Sequence, residues 1–230
     1  MSSCCTSSAT DDGNKSFFSR WSRSYAKRFR RRGLEKAQEQ ILVGATHDSI
    51  QGREVLDIGC GIGALHLTLL RDGAGHSIGV DMSEGMVRQA QQLASELGLQ
   101  EKASYLVGDF VALADLLPES DITLLDKVVC CYEQLGPLID TSTGKTKRIY
   151  AMTHPRDSLP VRVAFKTQIL LAKIFRWSFH PFWHDWEEMT CRIRSKGFQL
   201  LYENSTFVWK TLVFRRTQQD SQRPRKPCAR

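Results

Sequence analysis

Residues 54–65 read Glu54-Val-Leu-Asp-Ile-Gly-Cys-Gly-Ile-Gly-Ala-Leu65, and this segment places a glycine run directly after a short apolar strand. Glycine allows a tight backbone turn and lets a ligand approach where a Cβ atom would clash. In mainly parallel sheets, ligands bind at the carboxyl ends of the strands, where the strand order switches. The segment therefore predicts a ligand-binding loop between a strand and a helix that begins near Ile62.

Strands and helices alternate along the chain around this loop. The predicted strands are 54–58, 77–81, 103–107, 121–129, 148–153, 198–202 and 206–215, and the predicted helices that follow the glycine run are 62–71, 84–97, 161–177 and 184–196. Such alternation favours a parallel sheet covered by helices, and the two consecutive strands at the end predict an antiparallel edge. The predicted fold class is α/β, with a Rossmann-like, mainly parallel seven-stranded sheet, an antiparallel C-terminal edge hairpin and an N-terminal helical lid.

One folded domain between two polar ends is the predicted organisation. Residues 1–15 and the basic tail 217–230 are expected to be disordered, since they are small, polar or charged. Residues 16–216 are predicted to form the domain, in which 16–50 make a helical lid and 155–197 a helical substrate cover. Phe17, Trp21, Tyr25 and Phe29 recur every four residues, so the first helix is expected to pack through this stripe.

Charge and composition limit the class of protein. The net charge of +7 is concentrated between Arg20 and Arg32 and in the tail after Arg215. Solvated surfaces explain both clusters, and the alternatives are contact with nucleic acid, an anionic membrane surface or an acidic substrate. No apolar stretch is long enough to predict a transmembrane segment. The seven cysteines include no C-x-x-C pair, so no metal site is predicted, and a reducing, cytoplasmic location is expected.

Carboxylates follow three successive predicted strands. Asp57 ends the first strand, Asp81 ends the second, and Asp109 follows the third. A carboxylate after the second strand can accept the hydrogen bonds of both ribose hydroxyls. One after the third strand can accept the amino group of adenine, and the adjacent Phe110 can stack on the ring. The pattern predicts a nucleoside-binding site.

A dinucleotide is the alternative ligand, because Gly59, Gly61 and Ala64 also satisfy the G-x-G-x-x-[GA] pattern. Asp57 argues against it, since a carboxylate at that point would repel pyrophosphate. S-adenosylmethionine carries no phosphate, and its ammonium and sulfonium groups are attracted by nearby carboxylates. The acids therefore favour S-adenosylmethionine over NAD.

Residues 54–132 resemble the cofactor half of class I S-adenosylmethionine-dependent methyltransferases. The matching segments are 54–63, Gly79-Val-Asp-Met-Ser83 and Gly108-Asp-Phe110. The resemblance implies that Asp57 lies near the methionine moiety, that Asp81 takes the ribose and that Asp109 takes adenine. The cofactor-binding residues it implies are Asp57, Gly59, Cys60, Gly61, Gly63, Asp81, Met82, Asp109, Phe110 and Tyr25.

Over residues 16–216 the chain is more loosely similar to small-molecule enzymes of the ubiquinone-biosynthesis and magnesium-protoporphyrin O-methyltransferase type. The residues that carry this similarity are Arg20-Trp21 and Tyr25, then Asp121 and Val128-Val-Cys-Cys-Tyr132, and His180-Pro181. In this group the N-terminal helix lies over the cofactor, which implies that Tyr25 contacts it.

The acceptor is expected beyond the fourth and fifth strands. His154 is the candidate general base and Tyr132 the candidate for orienting the nucleophile, while Arg156 and His180 are candidate substrate-binding residues. A base is needed only when the nucleophile is a hydroxyl or an acidic carbon. Ordinary structural roles are the alternatives: a turn residue before Pro155 for His154, a surface charge for Arg156 and a core aromatic for Tyr132.

The predicted function is methyl transfer from S-adenosyl-L-methionine to a small molecule by in-line displacement. Aromatic residues are dense between Trp177 and Trp186, which favours an apolar or aromatic acceptor. A tRNA methyltransferase is one alternative, motivated by the basic clusters. It is weakened because the Asn/Asp-Pro-Pro-Tyr segment common in enzymes that methylate exocyclic amines of bases is missing. A non-catalytic protein that binds the cofactor or a partner through the same fold is the other.

Overall fold

The computed structural model describes residues 9–175, 179 and 181–217, with side chains from residue 12 onward. Within these ranges the chain forms eight α-helices, one short 3-10 turn at Ala114–Leu116 and seven strands. The helices are α1 (Ala9–Arg32), α2 (Lys36–Ala45), α3 (Ala64–Arg71), α4 (Glu84–Glu96), α5 (Phe110–Leu113), α6 (Leu135–Gly144), α7 (Leu159–Ile174) and α8 (Trp186–Ser195). The strands are β1 (Glu54–Ile58), β2 (His76–Asp81), β3 (Ala103–Val107), β4 (Ser120–Leu125), β5 (Thr146–Pro155), β6 (Phe198–Ser205) and β7 (Trp209–Arg216).

The strands form one sheet in the order β3-β2-β1-β4-β5-β7-β6. The first five strands are parallel, and β7 pairs antiparallel with both β5 and β6. The chain therefore builds outward from β1 in one direction through β2 and β3, then returns to the other side of β1 at β4. This reversal confirms the predicted fold class and places the switch point at the glycine run that follows β1.

Two hydrophobic cores lie on the two faces of the sheet. Successive residues of a strand point to opposite faces, so Val55 of β1 packs with α2, α3 and α4, whereas Leu56 packs with α5, α6 and α8. Both residues are buried, which is usual for a central parallel strand. None of the described helices combines the length and apolarity needed to cross a membrane.

The first helix differs from its prediction in start and in orientation. It begins at Ala9, so residues 9–15 are helical rather than disordered. Ser22 and Ala26 are buried on its inner face, whereas Trp21 is 49% exposed. The reason is helical pitch, because an α-helix has 3.6 residues per turn and a repeat of four drifts around its surface. Residues 1–8 and 218–230 of the predicted polar ends lie outside the described residues.

Elements near the sheet's carboxyl edge also differ from prediction. β4 ends at Leu125 rather than 129, since the backbone turns at Lys127, where φ is 60°. The helix α6 was not predicted, because its sequence contains Gly136, Pro137 and β-branched residues, which disfavour a helix. The proline is tolerated because it lies in the first helical turn. The turn between the last two strands lies at 206–208 instead of 203–205.

Candidate active site

A cavity of about 530 Å³ opens at the carboxyl ends of β1, β2 and β4, at the switch point of the sheet. Most residues predicted to bind the cofactor line this one cavity. They are Tyr25, Asp57, Gly59, Cys60, Gly61, Asp81, Met82 and Phe110. Gly63 and Asp109 are not among the residues that line it.

The glycine loop after β1 needs glycine for more than one reason. Gly59, Gly61 and Gly63 have φ values of 63°, 54° and 80°, in the left-handed region that disfavours other residues. A Cβ atom on Gly59 would lie 2.5 Å from the Val128 side chain. A Cβ atom on Gly61 would meet nothing within 4 Å, because this residue faces the open cavity. The loop thus presents bare backbone to the cavity.

Asp57 lies at the floor of the cavity in a buried hydrogen-bond network. His66 Nδ1 lies 2.8 Å from its carboxylate, and His66 Nε2 lies 3.1 Å from the hydroxyl of Tyr105. The Tyr105 hydroxyl donates in turn to the carbonyl of Ala90 at 3.3 Å. Burial raises the pKa of Asp57, and the hydrogen bond from His66 opposes this rise. His66 therefore holds the carboxylate in place from outside the cavity.

Asp81 ends β2 with both carboxylate oxygens facing backbone amides. One oxygen accepts from Gly61 N at 2.8 Å and the other from Ser83 N at 2.8 Å. Burial raises the pKa of Asp81 to about 6, against the lowering effect of these two amides. Each oxygen of a carboxylate has two acceptor sites, so one on each remains for a pair of neighbouring hydroxyls.

Asp109 caps α5 and is joined to Tyr132. Its carboxylate accepts from Val111 N at 3.0 Å and from the Tyr132 hydroxyl at 2.7 Å. Tyr132 lines the cavity, but its hydroxyl donates to this acid next to Gly108 and Phe110. The structure therefore ties Tyr132 to the predicted adenine end, and its predicted role in orienting the nucleophile is not supported.

The helix α1 lies over the cavity and packs on the start of α4. The hydroxyls of Ser19 and Ser83 are 2.8 Å apart, which links the two helices beside Asp81. A Cβ atom on Gly85 would lie 2.9 Å from the Cα of Ser19, so this close approach requires glycine. Tyr25 faces the cavity with the guanidinium of Arg28 5.3 Å from its ring centroid.

A charged cluster that the sequence did not predict lies beyond the glycine loop. Lys127 Nζ lies 2.6 Å from a carboxylate oxygen of Glu35, which also pairs with Arg28. The neighbouring Asp126 accepts from Gln38 at 3.0 Å and from the Thr153 hydroxyl at 2.7 Å. All but Thr153 line the cavity. Lys127 is the one non-glycine residue with positive φ among the described residues, and such strained backbone is common at functional sites.

Aromatic side chains form the rest of the wall. Phe165 from α7 packs edge-on against Trp209 at a centroid distance of 6.2 Å. Phe17 of α1 stacks on Phe179 at 5.0 Å. All four line the cavity, together with Gln168 and Pro181. This half of the cavity is suited to a flat, apolar molecule.

Two residues predicted at the acceptor site lie elsewhere, and a third cannot be placed. His154 is buried on the opposite face of β5, where Nδ1 donates to the Pro155 carbonyl at 2.8 Å and the ring stacks on Trp186. Burial lowers the pKa of His154 to about 4. Arg156 is exposed and does not line the cavity. The structure therefore places neither the predicted general base at 154 nor the predicted substrate contact at 156 in the lining of the cavity, and His180 lies outside the described residues.

The fold and the site together define a class of protein. A glycine loop at the switch point, with Asp57 and Asp81 around one cavity, is the arrangement predicted for a cationic nucleoside. Residues 55–153 match the family model described as a methyltransferase domain. This match, over 99 of the chain's 230 residues, confirms the predicted resemblance to class I S-adenosylmethionine-dependent methyltransferases and the cofactor predicted with it.

Individual relatives are similar over this domain. The chain is 36% identical over 98 residues to ubiquinone biosynthesis O-methyltransferase from Methylococcus capsulatus, covering 42% of this chain and 38% of that protein. It is 35% identical over 94 residues to release factor glutamine methyltransferase from Rhodospirillum rubrum, covering 36% of this chain and 29% of that one. The matched segments thus span well under half of these relatives.

A solved structure shares the fold over nearly the whole chain. Magnesium protoporphyrin IX methyltransferase from Synechocystis, solved with bound SAM, superposes with a TM-score of 0.68 at 22% identity. The superposition covers 94% of this chain and 100% of that one. At this identity the likeness establishes the shared fold.

Proposed function

We propose that the protein transfers the methyl group of S-adenosylmethionine to a small apolar or aromatic molecule by in-line displacement. One observation carries this proposal. A single cavity joins a half made of glycines and carboxylates to a half made of aromatic side chains. The cofactor's reactive methyl and a flat acceptor would meet where the two halves join.

The cofactor half fits a cationic nucleoside. Asp57 supplies a carboxylate for the ammonium or sulfonium, and Asp81 supplies two acceptors for the ribose hydroxyls. Met82 and Phe110 would flank the adenine ring. The basic side chains that line the cavity come from α1 and the loop after β4, and the glycine loop itself carries none. A pyrophosphate would face Asp57 instead, so the arrangement disfavours a dinucleotide.

Methyl transfer from a sulfonium requires little of the protein beyond aligning the two reactants. When bound, the cofactor supplies an electrophilic sulfonium methyl, which leaves with breakage of its C–S bond as the acceptor's lone pair forms the new bond. The chain's own residues bind both reactants, fix their orientation and exclude water under α1. For an acceptor that must lose a proton, the candidate carboxylates are those of Glu35 and Asp126, which line the cavity beside Lys127, whose Nζ lies 5.5 Å from the Trp209 ring centroid.

The relatives support the reaction more strongly than the acceptor. The ubiquinone and magnesium protoporphyrin enzymes are named for small molecules, whereas the release factor enzyme is named for a protein. The aromatic wall of this cavity favours the first group. The exposed basic residues of α1 favour RNA as a second candidate acceptor, because such residues can neutralise phosphates.

Calorimetry on the full chain tests the cofactor half. We expect S-adenosylmethionine to bind with micromolar affinity or better and NAD not to bind. Asp81→Ala should lose most of that affinity, whereas Asp115→Ala, which removes an exposed carboxylate outside the cavity, should retain it. NAD binding without S-adenosylmethionine binding would overturn the assignment.

Turnover with methyl-labelled cofactor tests the acceptor half. We expect label to enter an apolar or aromatic small-molecule fraction. Label in RNA, together with heparin retention and affinity that falls steeply with salt, would favour the second candidate. Cofactor binding without transfer to small-molecule, RNA or protein fractions would indicate a non-catalytic protein.

A further inference from the structure

The described part of the chain packs against one side of the helix α7. Val161 and Ala172 are its buried residues, and Phe165 and Gln168 face the cavity. On a helix these four positions lie within one narrow sector, since each residue advances about 100° around the axis. The rest of the helix surface therefore faces away from the domain.

That outward surface carries an apolar row. Leu159, Val163, Leu170 and Ile174 are 75%, 55%, 57% and 60% exposed. Their spacings of four, seven and four residues align them along one stripe, almost opposite the buried side. A helix that is apolar on two opposite sides needs cover on both. The residues that the structure describes cover one of them.

A basic row runs beside the apolar row. Arg162, Lys166 and Lys173 are all exposed, and each lies three residues after a member of the apolar row. Residues 158–175 contain no acidic side chain. Asp157, just before the helix, forms an ion pair with Arg162 at 2.6 Å. Among the described ion pairs, it is the one that joins an acidic residue to this basic row.

We propose that α7 docks the protein on an anionic lipid bilayer, lying in the plane of the interface. The apolar row would enter the boundary between headgroups and acyl chains, and the basic row would meet the lipid phosphates, as in interfacial amphipathic helices. A second copy of the chain fits this surface less well. In a two-fold interface the two basic rows would be brought close together with no acidic partner.

A second segment beside the cavity has the same character. Trp21 is half exposed on α1, and its ring lies 6.4 Å from Phe17, which stacks on Phe179 just beyond the end of α7. Residues 15–32 of α1 contain no acidic side chain. Tryptophan and basic residues are favoured at membrane interfaces. This inference is independent of the proposed methyl transfer, because it depends on the outer side of α7.

Vesicle co-sedimentation of the full chain tests the proposal. We expect binding to vesicles of phosphatidylcholine mixed equally with phosphatidylglycerol, and at least tenfold weaker binding to phosphatidylcholine alone. Raising the salt concentration should weaken binding to the anionic vesicles. Val163→Asp with Leu170→Asp should reduce binding at least tenfold, and Lys166→Glu with Lys173→Glu should remove the preference for anionic lipid.

The matched control is Arg71→Glu with Lys102→Glu, which makes the same charge change at the amino ends of the parallel strands, far from α7. This control should preserve vesicle binding. Thermal unfolding and S-adenosylmethionine binding confirm that each variant is folded. If the variant with both Val163→Asp and Leu170→Asp does not fold, Leu170→Asp alone is used in its place. Absence of binding to anionic vesicles overturns the proposal. So does unchanged binding by the apolar-row variants, or a concentration-dependent dimer that those variants abolish.

Discussion

His66 Nδ1 lies 2.8 Å from the carboxylate of Asp57, and both side chains are almost completely buried. The histidine does not line the cavity, so its effect on a ligand must act through the acid. A buried carboxylate without a partner is costly, and a hydrogen bond to its charged form offsets part of that cost. We therefore propose that His66 is a positioning residue for Asp57, the acid proposed to face the cationic end of the cofactor.

Replacing His66 with leucine should weaken cofactor binding in a protein that still folds. We expect S-adenosylmethionine affinity to fall at least tenfold and stability to fall by about 1–3 kcal/mol, the usual cost of leaving a buried group unsatisfied. His66→Gln, which can still donate to Asp57, should recover part of the affinity. His76→Leu at the amino end of β2 is the control. Wild-type affinity in the leucine variant, measured by calorimetry, would refute the positioning role.

Cofactor affinity should depend on pH through Asp81. Burial raises the pKa of this carboxyl to about 6, and the proposed hydrogen bonds from the ribose hydroxyls require its ionised form as acceptor. Protonation therefore removes the acceptor, so affinity should be constant above pH 7 and fall as the pH drops below about 6. Calorimetry from pH 5 to pH 8 measures this dependence. Asp81→Asn should bind weakly at every pH, and a similar pH dependence in that variant would assign the titration to another group.

The fold and the cofactor half were predictable because their signals are local in the sequence. The glycine run must follow β1, and each acid lies at a strand end, so Asp57 and Asp81 converge once the strands are parallel. Lys127 and Glu35 were missed for the opposite reason. They lie far apart in the chain, and their ion pair exists only because α1 and α2 fold over β4.

The acceptor residues were predicted at positions whose side-chain direction the sequence does not specify. Thr153 and His154 are neighbours on β5, so they point to opposite faces of the sheet. Thr153 bonds to Asp126 beside the cavity, and His154 enters the core next to Trp186. The predicted bounds of β5 were right within a few residues. Which side chain faces the cavity, however, depends on how β7 and α8 pack.

Gly61 should be more important for binding than for folding. Gly61 and Gly98 both have left-handed backbone, with φ of 54° and 69°, and a Cβ atom at either position meets nothing within 4 Å. Alanine should therefore cost each variant a similar 1–2 kcal/mol of stability. Only Gly61 faces the cavity, so Gly61→Ala should lower S-adenosylmethionine affinity at least tenfold while Gly98→Ala leaves it unchanged. Equal affinities in the two variants would show that the glycine loop does not contact the cofactor.

His154 should affect stability, not catalysis. Its folded-state pKa is about 4 because burial disfavours the charged ring, whereas the unfolded chain titrates near 6.5. The unfolded state therefore binds the proton first as the pH falls. The stabilising contribution is complete above pH 6.5 and is lost between pH 6.5 and pH 4, by at most about 3 kcal/mol at 1.4 kcal/mol per pKa unit.

Urea unfolding of wild type and His154→Phe at pH 5 and pH 8 measures this contribution. The difference between the two pH values should shrink in the variant, while His47→Phe, at an exposed position before β1, should behave as wild type. Methyl transfer by folded His154→Phe should persist, because neither ring nitrogen reaches the cavity. If this variant still folds and binds the cofactor but no longer transfers the methyl group, the hypothesis that His154 is the general base would be supported. The acceptor would then have to reach the other face of β5.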